Sequence, residues 1–256
     1  MNIHEFGCGH ARNLVLIHGA CMSWDMFEKT IALLQESFHV YVPAIPGHDL
    51  TTTEEFTSLE AIAAELEEEL IRRGAEEIEL LYGLSMGGGF VIRMLADNRL
   101  RIRHAVIDAG IAPYELPRIC TRFILARDVL MTALGKYSRA ALESAFPRAR
   151  YGSSADRMWQ VLQHMTMRSI RNVYDSTDNY AMPDVFPDIE TKIEYWYGAR
   201  EKKERKPDIA YVRKHIPGVV FRELAGMGHG EYAAAHAEEL ADDLTAVAAG
   251  NRRKQS

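Results

Sequence analysis

The residues best suited to chemistry lie in two glycine-bounded stretches: Gly83-Leu84-Ser85-Met86-Gly87 and Gly226-Met227-Gly228-His229-Gly230-Glu231. A serine hydroxyl is a poor nucleophile near neutral pH and needs a base within hydrogen-bond reach. Gly-x-Ser-x-Gly has a mechanical meaning only when a strand runs in and a helix runs out. The glycines then admit close backbone approach, and the serine is left strained and exposed at the turn. The flanks meet that condition. Ile78, Leu80, Leu81 and Tyr82 precede the motif, and Phe90, Val91, Ile92, Met94 and Leu95 follow it with helical character.

Other elements must hold such a turn in place. Leu14-Val15-Leu16-Ile17 is a continuous apolar run, the pattern of a parallel strand buried on both faces. Shorter runs at Val40-Tyr41-Val42, Ala105-Val106-Ile107, residues 193–197 and Val219-Val220-Phe221 repeat it, and residues 3–6 suit a short edge strand. Helical signals fall between them. Thr57-Ser58-Leu59-Glu60 reads as a capping box ahead of Leu59, Ile62, Leu66 and Leu70, residues 207–215 suit a helix, and Leu240, Leu244 and Val247 mark a last helix stopping at Gly250. This alternation predicts an α/β fold with a mostly parallel central sheet flanked by helices.

The rhythm breaks between about residues 112 and 188, where helices are expected near 118–134, 138–146 and 155–173. The expected division is a core of residues 1–111 and 189–256, with a helical cap of residues 112–188 inserted after the strand that ends near Asp108. Most cap apolar residues, among them Phe123, Leu125, Leu130, Met131, Trp159, Met165 and Met167, are expected to pack the cap onto the body, and a few to line a pocket.

Four landmarks in order, His18-Gly19, Pro46-Gly47-His48, Gly83-Leu84-Ser85-Met86-Gly87 and Gly228-His229, make the chain resemble the α/β-hydrolase family, in its lidded serine-esterase and meta-cleavage-hydrolase-like branch. The resemblance runs from about Leu14 to Val247 and implies roles. Ser85 would be the nucleophile and His229, in the loop after the last strand, its general base. A carboxylate would hold the imidazole tautomer. Gly198-Ala199-Arg200-Glu201 puts Glu201 at that place, against a competing reading in which Glu201 belongs to a solvated charge run with Lys202, Lys203, Glu204, Arg205 and Lys206. Asp108 is the alternative acid and Asp208 a remote third. The backbone N–H groups of Met86 and Ala20 would form the oxyanion hole. His18 would brace that loop, and His48 reads as structural.

Composition narrows the partners. The 256 residues carry a formal net charge of −6, with 47% hydrophobic and 26% charged residues, so neither nucleic acid nor an anionic membrane is expected. Arg252-Arg253-Lys254 reads as a short solvated end. Cys8, Cys21 and Cys120 show no disulfide or metal spacing, and Cys21 reads as a small buried residue. Without a leader-like N-terminus or a spanning apolar run, a cytoplasmic location is expected.

The expected activity is acyl transfer to water on a small carboxylic ester, or a related carbonyl substrate, without a metal or other cofactor, and a homodimer is compatible with it. The alternatives are a lyase, synthase or C–C-cleaving relative using the same triad, and a ligand receptor that kept the fold without turnover.

Overall fold

The computed structural model of this chain describes residues 1–251, so Arg252-Arg253-Lys254 lie outside the described residues. Seven strands form one sheet: β1 (Asn2–Phe6), β2 (Asn13–Ile17), β3 (His39–Ala44), β4 (Glu77–Leu84), β5 (Arg101–Asp108), β6 (Lys192–Gly198) and β7 (Val220–Leu224). Their order is β1-β3-β2-β4-β5-β6-β7, with β1 antiparallel at the edge and every other pairing parallel. Register aligns the carboxyl ends. Ile17 lies opposite Gly83, Leu84 opposite Asp108, Asp108 opposite Trp196 and Gly198 opposite Leu224. Loops distant in sequence therefore leave the sheet along one edge, the place where open parallel sheets build their sites.

Alternation of side chains along the strands supplies two cores. Leu14, Leu16, Tyr82, Val106 and Trp196 face α1 (Glu28–Leu34) and α11 (Ala237–Ala248). Val15, Ile17, Leu81, Ala105 and Ile107 face α2 (Leu59–Arg72) and α3 (Met86–Asp97). Helix α2 starts differently from its expected capping box. Ser58, not Thr57, is the N-cap and accepts from the Ala61 N–H, while Glu60 reaches across to accept from the Ala181 N–H at 2.9 Å. A tertiary partner outcompetes the local one.

Between β5 and β6 lie α4 (Arg118–Tyr137), α5 (Arg139–Ala145), α6 (Arg148–Tyr151), α7 (Ser154–His164) and α8 (Met167–Asn179). The helix expected over 155–173 is two helices. Met165 leaves the helical region, and Thr166 restarts it by accepting from the Ser169 N–H with its side chain. Helix α8 is tied to the body by hydrogen bonds: the Ser169 and Ser176 hydroxyls accept from the Phe56 and Leu59 N–H groups, and Asn172 donates to the Phe56 carbonyl. Helix α4 departs from the expected inward packing. Phe123 and Leu130 are 71% and 60% exposed, because α4 spends its other face on α8, α5 and α7. Helix α9 (Lys206–His215) and the short α10 (Glu231–Ala235) complete the chain, and no helix of the described residues is long and apolar enough to cross a membrane.

Candidate active site

Ser85 is the single residue between β4 and α3, with φ 54° and ψ −111°. That conformation costs a non-glycine residue on the order of 1–3 kcal/mol. Its neighbours hold it there: its N–H donates to the Asp108 carbonyl at 2.7 Å, and its carbonyl accepts from Gly89 and Ile111. The glycines of the motif are needed for space rather than for dihedral freedom. A Cβ on Gly83 would lie 2.1 Å from the Gly87 carbonyl oxygen, and one on Gly87 would lie 2.3 Å from that of Ile17. No side chain fits at either position.

His229 sits in the loop between β7 and α10. Its Nε2 is 3.0 Å from Ser85 Oγ across 144 residues of sequence, and its Nδ1 is 2.6 Å from Glu201 Oε2. The other Glu201 oxygen accepts from the Gly198 N–H at 3.0 Å. A carboxylate can only accept, so Nδ1 carries the proton and Nε2 is left to accept from Ser85. Burial pushes the Glu201 carboxyl up, but the His229 ring, the Gly198 N–H and the Arg205 guanidinium outweigh it and hold the group below the usual carboxylate value. Glu201 is only 6% exposed, while Lys202, Lys203 and Glu204 point to solvent. The charge run is thus split, with Glu201 and Arg205 turned inward.

The other two acids are occupied elsewhere. Asp108 lies buried under the site, where the Tyr82 hydroxyl donates to it at 2.6 Å, and burial drives its carboxyl up to about 7. Asp208 accepts from the Ala112 N–H at 2.9 Å and pairs with Arg205 at 3.1 Å. Neither hydrogen-bonds His229.

The loop after β2 approaches the serine closely, since a Cβ on Gly19 would touch Ser85 Cβ at 3.5 Å. Among the described residues, no hydrogen bond takes the N–H of Ala20 or Met86, and Met86 opens α3, where helical N–H groups lack partners. His18 is fully buried, and its Nδ1 donates to the Gly19 carbonyl at 2.9 Å. Burial lowers it to about 4, and His48 beside it to about 3, so both rings stay neutral. Burial also pushes the Cys21 thiol up to about 12, which leaves it no thiolate character.

A cavity of about 400 Å³ opens beside Ser85 and His229. Its walls come from the loop after β2 and from α4, α5, α7 and α8, with Met22, Met131, Leu142, Phe146 and Met158 among its apolar residues. One group with metal-ligand geometry, Glu5, Cys8 and His39, lines none of this cavity and lies at the β1 edge, where Glu5 is already paired with His39 and Arg73.

Three contributors escape a reading of the sequence. Glu231 braces the His229 loop by accepting from the Gly228 N–H at 2.7 Å and pairs with Arg150 of α6. Arg205 stands 3.5 Å from Glu201. Tyr82, part of an apolar strand run, carries the partner of Asp108. The i, i+4 spacing of Glu201 and Arg205 is the one signal available beforehand.

Known proteins share this arrangement of elements. An esterase from Exiguobacterium antarcticum superposes with a TM-score of 0.75 at 16% identity, covering 96% of this chain and 94% of its own. A protein from Desulfitobacterium hafniense, described as of the alpha/beta hydrolase family, superposes at 0.77 and 18% identity, covering 96% and 99%. A pimeloyl-[acyl-carrier protein] methyl ester esterase from Vibrio parahaemolyticus is 31% identical over 87 residues, 34% of this chain and about a third of that protein's length. The family model described as "Alpha/beta hydrolase family" matches residues 14–243, and with that match spanning most of its length the chain belongs to this family.

Proposed function

We propose that this protein is a serine hydrolase that cleaves small carboxylic esters through an acyl-enzyme on Ser85. The observation that carries the proposal is the unbroken chain from Ser85 Oγ through both nitrogens of His229 to a buried, ionised Glu201, opening onto an apolar cavity. In this reading His229 Nε2 takes the Ser85 proton as Oγ attacks the ester carbonyl. The resulting imidazolium is stabilised by Glu201, and the tetrahedral oxyanion sits between the Ala20 and Met86 N–H groups. His229 then gives its proton to the departing alcohol, and water repeats the cycle on the acyl-enzyme. Helices α4–α8 act as a cap that shields the acyl group, and the cavity volume suits a modest acyl or alcohol portion.

A fluorophosphonate probe and a panel of p-nitrophenyl esters test this. Labelling of wild type and not of Ser85→Ala, with turnover of short esters, is the expected result. Labelling without turnover of any acyl length would move the protein to the non-hydrolytic relatives, and absent labelling to a receptor.

A further inference from the structure

The residues lining the cavity beside Ser85 include Tyr114, Arg127, Asp128, Thr177, Asp178 and Arg205. Their charges are mostly matched. Arg127 donates to both oxygens of Asp128, at 2.7 and 3.1 Å. Arg205 serves Asp208 and Glu201. Among the described residues Asp178, unlike Asp128 and Asp208, has no ion-pair partner within 4 Å. It is 2% exposed, and its Oδ2 is buried without a hydrogen-bond partner among the described residues.

Its position makes that vacancy costly. Asp178 lies in the last turn of α8, where the helix end is itself negative, and its backbone carbonyl accepts from the Tyr114 N–H. Burial, with Asp128 and Asp208 facing it against Arg127 and Arg205, pushes the carboxyl up to about 7. Among the described residues, nothing donates a hydrogen bond to its Oδ2. A cation carried into the cavity would offset the negative charge that the two arginines leave over.

We propose that Asp178 is a recognition group for a primary ammonium carried by the substrate, so that the favoured esters are those of amino-substituted acids or alcohols whose alkyl portion lies on the apolar walls. That the ligand is a substrate rests on the serine-hydrolase reading, but the binding site stands on Asp178 itself. The test is therefore made on binding, in Ser85→Ala protein. Calorimetry compares ethyl 6-aminohexanoate with ethyl heptanoate, which replaces the ammonium by a methyl group, and with the N-acetylated amino ester. Hydrogen bonds to charged groups predict that the amino ester binds about tenfold tighter or more. The preference should vanish in the S85A/D178N double variant, with folding checked by its melting curve. Equal affinities in S85A, or a preference that survives D178N, overturn the proposal. Should D178N fail to fold, the acetylated ester decides: binding as tight as the free amine also overturns it. Fluorophosphonate labelling of the wild type, measured separately, tells a failure of this site from a failure of Ser85 as nucleophile.

Discussion

Replacing Glu201 by Gln tests the chain of contacts where it is chemically most sensitive. The carboxylate accepts two hydrogen bonds, from the Gly198 N–H at 3.0 Å and from His229 Nδ1 at 2.6 Å. A glutamine of the same shape can satisfy only one. With its oxygen kept on Gly198, its NH2 group faces Nδ1 and forces that nitrogen to accept, which moves the imidazole proton to Nε2, where Ser85 needs a base. With the amide flipped, NH2 meets the Gly198 N–H, and two donors collide. The first state withdraws the base, the second keeps Nε2 free only at the cost of that collision, and in both the developing imidazolium loses its counter-charge. The expected fall in kcat is roughly 10³–10⁴-fold, about 4–5.5 kcal/mol at 1.36 kcal/mol per decade. KM should change little, because Glu201 does not contact the ester. The assay is steady-state hydrolysis of p-nitrophenyl acetate with the rate of fluorophosphonate labelling alongside, and Glu201→Asp should recover part of the loss. Retention of kcat within tenfold in E201Q, together with its collapse in Asp108→Asn, would falsify the assignment and make Asp108 the acid.

Two further outcomes follow from packing and charge. Gly87→Ala places a methyl group 2.3 Å from the Ile17 carbonyl and 2.8 Å from that of His18, both backbone atoms, so urea unfolding should show a loss of about 1–3 kcal/mol with ester turnover reduced as the loop after β2 shifts; an unchanged midpoint contradicts this. Asp108 releases its proton near 3.8 when unfolded and near 7 when folded, so the native state holds the extra proton in between and stability falls as pH rises through that window. At 1.36 kcal/mol per pH unit the ceiling is about 4 kcal/mol, and Asp108→Asn should flatten the pH 5–8 stability slope by on the order of 2 kcal/mol; chemical denaturation across that range checks it, and an unaltered slope refutes it.

The local signals were legible wherever neighbours in sequence are also neighbours in space. The turn at Ser85, the buried strand at Leu14-Val15-Leu16-Ile17 and the helix expected near 138–146 each announce themselves in a pattern a few residues long. Local reading failed where a distant partner wins. Glu60 abandons its capping box for Ala181, Thr166 splits one expected helix into two, and Phe123 stays exposed on a helix whose inward face is taken.

What the sequence by itself determined is the order of landmarks: a serine in a turn too tight for side chains on its flanking glycines, a histidine in a glycine-bounded loop, and three acids able to serve it. Only the tertiary structure shows which of those acids meets the histidine. Parallel register carries the ends of β4, β6 and β7 to one edge, so the residues following them meet, while Asp108 is drawn beneath to Tyr82 and Asp208 to Arg205. Hydrogen-bond direction and burial act over ångströms in space, and the spacing of Glu201, Asp108 and Asp208 along the chain carries no record of either.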